Sequence, residues 1–120
     1  MIERTDFVSV PVEDMERAKR FYRETLGMHS PDWDAGFPEI ETGNVSLYLV
    51  DPTGWGGEFA PHGSPIALRV ADVADARKRL EDAGIEFEGD IRDTGVCRMA
   101  FLQDSEGNML MLHRRYAPRD

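Results

Sequence analysis

An internal repeat constrains this chain more than any other feature. Residues 7–28 read FVSVPVEDMERAKRFYRETLGM, and residues 65–85 read PIALRVADVADARKRLEDAGI. In each stretch an alternating strand leads through an aspartate into an amphipathic helix, and a glycine follows the helix. Two copies are too few for a solenoid, so the pattern indicates a module that was duplicated within one domain.

The spacing inside each copy predicts the ends of the helices and their buried faces. Asp14 and Asp72 stand where helix N-caps belong, and Gly27 and Gly84 stand where C-caps belong. Apolar residues then recur at helical spacing, which predicts one buried face for each helix. These residues are Met15, Ala18, Tyr22 and Leu26 in the first copy and Val73, Ala76, Leu80 and Ala83 in the second.

Short strands are predicted after each helix, over residues 28–34, 37–42 and 44–50, and then over 85–89, 95–103 and 108–114. Each copy is therefore βαβββ, and the fold class is α+β. We expect a single domain with module 1 at about 5–50, a linker at 51–64 and module 2 at about 65–114. The Gly- and Pro-rich linker is either a plain connection or a mobile flap.

Composition limits the partners and the compartment. A formal charge of −9 argues against nucleic acid and against anionic membrane surfaces. The single cysteine, Cys97, has no partner within the chain for a disulfide, so a reducing cytoplasm is expected. The opening MIERTD has no signal-peptide core, and no apolar run is long enough to cross a bilayer.

Three stretches in order carry a resemblance to a known family. They are VSVPVEDMERAKRFYRETLG, IALRVADVADARKRLEDAG and FLQDSEGNMLML. Together they resemble the vicinal oxygen chelate superfamily of glyoxalases, extradiol dioxygenases and bleomycin-resistance proteins. The resemblance implies two βαβββ modules whose strands form a cup-shaped mixed sheet, with helices outside and the site inside. It also implies a homodimer, as in many small members.

The resemblance also assigns four positions to metal ligands, which are His, Gln or Glu in the metal-dependent relatives. The matching residues here are Phe7, Tyr48, Pro65 and Met111. Phenylalanine and proline offer no donor, a thioether is too soft for the divalent ions of this family, and neutral tyrosine is a poor ligand. The sequence therefore predicts no metal and no other cofactor.

The strand faces that carry these positions are apolar and aromatic, which is typical of a pocket for a small planar molecule. Alternatively, the same side chains pack together and leave no cavity. An inward arginine in this region would either hold a carboxylate or form a structural ion pair. The predicted ligand-binding residues are Phe7, Ser9, Trp33, Tyr48, Trp55, Pro65, Arg69, Arg98, Met109, Met111 and His113.

Two functions follow as hypotheses. The first is metal-free binding of a small apolar or aromatic molecule, similar to sequestration by bleomycin-resistance proteins. The second is an atypical lyase or isomerase that acts on a small carbonyl compound, with His113 or Tyr48 as catalytic candidates. His29 and His62 lie in loop-like sequence without metal-ligand spacing, so we assign them no role.

Overall fold

The computed structural model describes residues 1–119 and divides the chain into two compact units, whose boundary falls between His62 and Gly63. The first unit contains β1 (Phe7–Pro11), α1 (Met15–Arg20), a π-helical turn (Phe21–Thr25), β2 (Glu39–Ile40) and β3 (Ser46–Val50). The second contains β4 (Ile66–Arg69), α2 (Val73–Asp82), β5 (Phe87–Asp93), β6 (Cys97–Gln103) and β7 (Met109–Arg115).

Both units use the same strand pairing. In the first sheet the order is β1-β3-β2, and in the second it is β4-β7-β6-β5. The first strand of each unit runs parallel to the last strand, with Ser9 opposite Tyr48 and Ala67 opposite Met111. The last strand is in turn antiparallel to its other neighbour. The predicted duplication is therefore visible in the hydrogen-bond register, and the predicted α+β class is confirmed, with a mixed sheet in each unit.

One face of each sheet is buried, as the alternation of residues along the strands requires. On β3, Leu47 and Leu49 are 2% and 0% exposed, and on β7, Leu110 and Leu112 are 0% and 3% exposed. On the same face of the second sheet, the guanidinium carbon of Arg77 on α2 lies 4.9 Å from the centroid of the Phe87 ring. The opposite faces of both sheets are only partly covered.

The helix caps are confirmed. The carboxylate of Asp14 accepts a hydrogen bond from the amide of Arg17 at 3.1 Å, and that of Asp72 accepts one from Asp75 at 2.9 Å. Each satisfies an amide that the first helical turn leaves unpaired. Gly84 follows α2 with φ of +95°, the left-handed conformation that only glycine adopts at low cost.

A buried turn precedes β7. The Asp104 carboxylate accepts hydrogen bonds from the amides of Glu106 and Asn108 and from the Asn108 side chain, each at 2.8 Å. Gly107 closes the turn with φ of +90°. Asp104 is 6% exposed and Asn108 is 0% exposed, so this turn is part of the core of the second unit.

The prediction of a strand over residues 28–34 is wrong. That part of the described chain forms only an isolated bridge between His29 and Glu41. Pro31 has no amide to contribute to a ladder, and the hydroxyl of Ser30 instead accepts a bond from the Asp32 amide at 3.1 Å. The first sheet consequently has three strands, and the second has four.

The region predicted as a linker contains a short 3₁₀ helix (Pro52–Trp55), which the Asp51 carboxylate caps through the Thr53 amide at 3.0 Å. No helix within residues 1–119 is long and apolar enough to span a bilayer.

Candidate functional site

The second sheet presents an apolar surface on the side away from α2. This surface, the open face of the second sheet, comprises the side chains that alternate with the buried Ala100, Leu102, Leu110 and Leu112. Its partly buried members are Cys97, Met99, Phe101, Met109, Met111, His113 and Arg115. Methionine adapts to the shape of an apolar ligand, and an aromatic ring offers a flat surface for stacking.

The register arranges this face in rows that run across the strands. Ala67, Met111 and Phe101 lie opposite one another in one row, and Glu88 of β5 extends it. The next row contains Arg69, His113, Met99 and Arg92 in the same strand order. Residues that are directly opposite on one face have Cβ atoms about 5 Å apart, so each row forms a continuous strip of contact.

The first sheet presents a more polar surface on its corresponding side. Ser9 lies opposite Tyr48, and Tyr48 lies opposite Glu39 of β2. A hydrogen bond to the Glu39 carboxylate raises the pKa of the Tyr48 phenol above its usual value, and this keeps the phenol protonated. The ring of Phe7 packs edge-on against the Tyr48 ring, with centroids 4.6 Å apart.

The residues at the predicted metal positions do not fit a divalent metal. In the first sheet, Phe7 contributes a ring that contacts Tyr48, and the protonated Tyr48 phenol already bonds Glu39. In the second unit, Pro65 has no donor side chain, and Met111 offers only a thioether. Moreover, nowhere in residues 1–119 do three His, Cys, Asp or Glu side chains group together in a way that could hold a metal ion.

The remaining predicted ligand residues are dispersed. Trp33 lies under the guanidinium of Arg23, which is 5.7 Å from the ring centroid. Trp55 is 70% exposed and packs edge-on against Phe37, with centroids 5.3 Å apart. Both tryptophans belong to the first unit, and neither lies on a strand.

Arg98 lies on the opposite side of the second sheet from Met99 and Phe101. Its Nε is 3.4 Å from Oδ2 of Asp93, and Oδ1 of the same carboxylate accepts a hydrogen bond from the Tyr116 hydroxyl at 2.7 Å. The Tyr116 hydroxyl first, then the Gly95 amide and the Arg98 guanidinium, hold the pKa of Asp93 below its usual value. Arg98 therefore forms an ion pair within the chain, which is the structural alternative to binding a ligand carboxylate.

Sequence reasoning missed several residues on these faces, among them Glu39, Arg92, Met99 and Phe101. For Glu39 and Phe101, alternation along the predicted strands 37–42 and 95–103 was a usable signal. Arg92 had no such signal, because the strand was predicted to end at residue 89 and continues in the structure to Asp93.

Comparison with known proteins adds a family and named relatives. Residues 4–112 match the model of the Glyoxalase/Bleomycin resistance protein/Dioxygenase superfamily. An ethylmalonyl-CoA/methylmalonyl-CoA epimerase of Cereibacter sphaeroides is 33% identical over 103 residues, which cover 74% of this chain and 77% of the epimerase.

Two solved structures illustrate the likeness in fold. TnmS3, an antibiotic binding protein from Streptomyces sp. CB03234, is 30% identical with a TM-score of 0.76, and the match covers 95% of this chain and 97% of TnmS3. A lactoylglutathione lyase from Agrobacterium tumefaciens is 18% identical with a TM-score of 0.74, and the match covers 93% of each chain. At that identity the lyase supports the fold alone.

Proposed function

Because the chain belongs to the Glyoxalase/Bleomycin resistance protein/Dioxygenase superfamily, we propose that it is a binding member of that superfamily, which takes up a small apolar or aromatic molecule without a metal. The open face of the second sheet carries the molecule. The observation that supports this function most directly is the register row Ala67–Met111–Phe101, which places a thioether and an aromatic ring side by side on a face that α2 leaves uncovered.

The chemistry of the donor set supports binding rather than metal-assisted catalysis. The superfamily's metal chemistry requires several oxygen or nitrogen donors, whereas the matching positions here hold Phe7, Tyr48, Pro65 and Met111. TnmS3, which is 30% identical to this chain, is named an antibiotic binding protein, and this likeness supports a binding role.

Equilibrium dialysis of neutral 2-naphthamide against the purified protein and Met111→Glu tests the proposal. A carboxylate at position 111 must either stay hydrated or be buried at high cost, so it should weaken binding of the apolar probe by about tenfold. Met111 is only partly buried, and we expect the variant to keep its circular dichroism spectrum.

Ala74→Glu is the matched control, because it adds the same charge at an exposed position of α2. Equal affinities in all three proteins would contradict the placement of the site, and a parent chain that binds neither 2-naphthamide nor the corresponding carboxylate, 2-naphthoate, would contradict the proposal. If Met111→Glu fails to fold, Met111→Ala replaces it, and its expected effect is a weaker complex with the same spectrum.

An enzyme remains the second candidate, and the first sheet provides its observation. Glu39 and Tyr48 form a hydrogen-bonded carboxylate–phenol pair on the open side of that sheet, with Ser9 in the same row. A carboxylate in this setting is a possible general base for moving a proton next to a carbonyl group. The relative at 33% identity is named an epimerase, an activity that needs such a transfer.

Incubation with methylmalonyl-CoA in D₂O separates the two candidates. An enzyme of this class incorporates deuterium at the acidic carbon, and Glu39→Gln abolishes the incorporation. The binding function predicts no incorporation above the uncatalysed rate for either protein, as followed by mass spectrometry.

Assembly and compartment are proposals that rest on the sequence. We propose a twofold homodimer, which is the commonest soluble oligomer, and a reducing cytoplasm. Sedimentation at micromolar concentration tests the dimer, and a species of only 13.6 kDa would contradict it.

A further inference from the structure

Two arginines stand at the ends of one row on the open face of the second sheet. Arg69 of the edge strand β4 lies opposite His113, His113 lies opposite Met99, and Met99 lies opposite Arg92 of the other edge strand. The adjacent row is the apolar one that contains Met111 and Phe101. The face therefore combines an apolar floor, which ends on β5 at Glu88, with one arginine at each edge.

A bulge in β5 determines the charge at one end of this row. Glu88 lies opposite Phe101, and regular pairing would then place Asp90 opposite Met99. The register shifts between Glu88 and Arg92, and Gly89 adopts φ of +66° within the irregular stretch. Bulges re-aim the side chains that follow them, so this bulge exchanges a carboxylate for a guanidinium opposite Met99.

The Arg92 guanidinium is directed over the apolar floor. Its central carbon lies 5.6 Å from the centroid of the Phe101 ring, which belongs to the neighbouring row. A cation above an aromatic face is weakly attracted to it, and this holds the guanidinium near the position where a ligand's polar group would lie.

Both arginines are free to bind an external anion. Within residues 1–119, neither Arg69 nor Arg92 forms a salt bridge or a side-chain hydrogen bond, although the chain has 23 acidic residues. Arg98, on the other side of the same sheet, is paired with Asp93. Arg98 thus has a carboxylate partner, whereas Arg69 and Arg92 of the same sheet have none among the described residues.

We propose that the molecule bound on the open face carries a carboxylate, which the row Arg69–His113–Met99–Arg92 recognises while the row of Met111 and Phe101 holds its apolar or aromatic body. This inference rests on the proposed binding function and gives its ligand a chemical class, the aromatic carboxylates. Guanidinium groups suit this recognition because their N–H donors match the geometry of a carboxylate.

Paired probes of nearly equal shape test the inference. Isothermal titration compares 2-naphthoate with neutral 2-naphthamide for the parent chain, Arg69→Gln, Arg92→Gln and the double variant. We expect the parent to bind the carboxylate about tenfold more tightly than the amide, and the double variant to lose that preference. Raising the ionic strength should reduce the preference in the parent, because partly exposed charges are screened.

Arg79→Gln is the matched control, because it removes the same charge from an exposed position of α2 in the same unit. It should retain the carboxylate preference. Equal binding of the two probes by the parent, or a preference that survives in the double variant, would overturn the inference while leaving the binding function intact. Binding of neither probe would instead refute the binding function itself.

Discussion

The two units share a backbone plan and differ in the chemistry of their open faces. Each pairs its first strand in parallel with its last, at matching register. The corresponding rows are Ser9–Tyr48–Glu39 in the first unit and Ala67–Met111–Phe101 in the second. The first row contains a hydrogen-bonded phenol–carboxylate pair beside a serine, and the second is an apolar strip.

In the next row, the second unit is the more polar of the two. Pro11 lies opposite Val50 in the first unit, and in the second Arg69 lies opposite His113. A duplicated module can thus keep its buried leucines and its register while its outward side chains diverge freely, because the two faces of a strand are independent in sequence. This explains how one fold supports both binding proteins and enzymes.

The buried faces should respond alike to truncation, and this is the largest effect we expect. Leu47 and Leu110 occupy equivalent register positions and are 2% and 0% exposed. Each Leu→Ala change should lower the free energy of unfolding by about 2–5 kcal/mol. Chemical denaturation measures it. Met111→Ala on the open face should cost clearly less than Leu110→Ala, and an equal cost would show that Met111 belongs to the core.

The turns before the last strands should respond differently. Asp104→Ala removes three hydrogen bonds and leaves buried donors of the Glu106–Asn108 turn unsatisfied, which should cost about 2–3 kcal/mol. Asn44, at the exposed turn of the first unit, serves as the comparison, and Asn44→Ala should change stability by less than about 0.5 kcal/mol. Similar losses at the two turns would contradict the distinction.

The bulge before Arg92 is specific to the second unit, and Gly89 should tolerate no side chain there without strain. No heavy atom lies within 4 Å of a Cβ built at this residue, so the cost of Gly89→Ala comes from its φ of +66° alone. We expect a loss of about 1–2 kcal/mol. Thermal unfolding measures the loss, with exposed Ala74→Gly as a control for glycine–alanine exchange. A stabilised Gly89→Ala protein would show that the left-handed conformation is not required.

Small pH effects should report on two phenol–carboxylate pairs, Tyr48–Glu39 in the first unit and Tyr116–Asp93 in the second. The raised pKa of Tyr48 means that its bond to Glu39 stabilises the fold below the unfolded pKa of about 10, and this is lost as the pH rises through the folded value. Tyr48→Phe should flatten that alkaline decline. The lowered pKa of Asp93 affects stability at acid pH. Its stabilising contribution is present above the unfolded pKa of about 4 and is lost as the pH falls through the pKa of the folded state.

Asp93→Asn should therefore flatten the acid decline, and it should also flatten part of the alkaline decline, because the hydrogen bond to Asp93 raises the pKa of the Tyr116 phenol. Stability measured against pH for both variants checks the assignment. An unchanged alkaline limb in Tyr48→Phe would show that the phenol–carboxylate bond contributes nothing.

Patterns along one chain predicted much of the fold. The repeat, the caps at Asp14 and Asp72 and the glycine after the second helix, Gly84, follow from local rules of backbone chemistry, and all are present. The strand over 28–34 does not form because Pro31 has no amide for a ladder and the Ser30 hydroxyl accepts the Asp32 amide instead. Local signals of this kind compete, and tertiary pairing decides between them.

The candidate site was less accessible to sequence reasoning. Alternation correctly grouped Met109, Met111 and His113 on one face, because the period of a strand is visible in the sequence. The row that joins Arg69 to Arg92 was not visible, since it depends on the register between four strands and on an irregularity at Gly89. Alternation placed Arg69 on the inward face but left the face of Arg98 open, and only the strand pairing shows that Arg98 lies on the side opposite to Met99 and Phe101.

Methionine methyl resonances offer the most direct test of where the ligand binds. Three of the six methionines, Met99, Met109 and Met111, lie on the open face of the second sheet, while Met1, Met15 and Met28 belong to the first unit. In protein labelled with ¹³C-methyl methionine, 2-naphthoate should shift the resonances of Met99 and Met111 through its ring current and leave Met15 and Met28 in place. Shifts confined to the methionines of the first unit, or no shifts at saturating probe, would contradict binding on the second sheet.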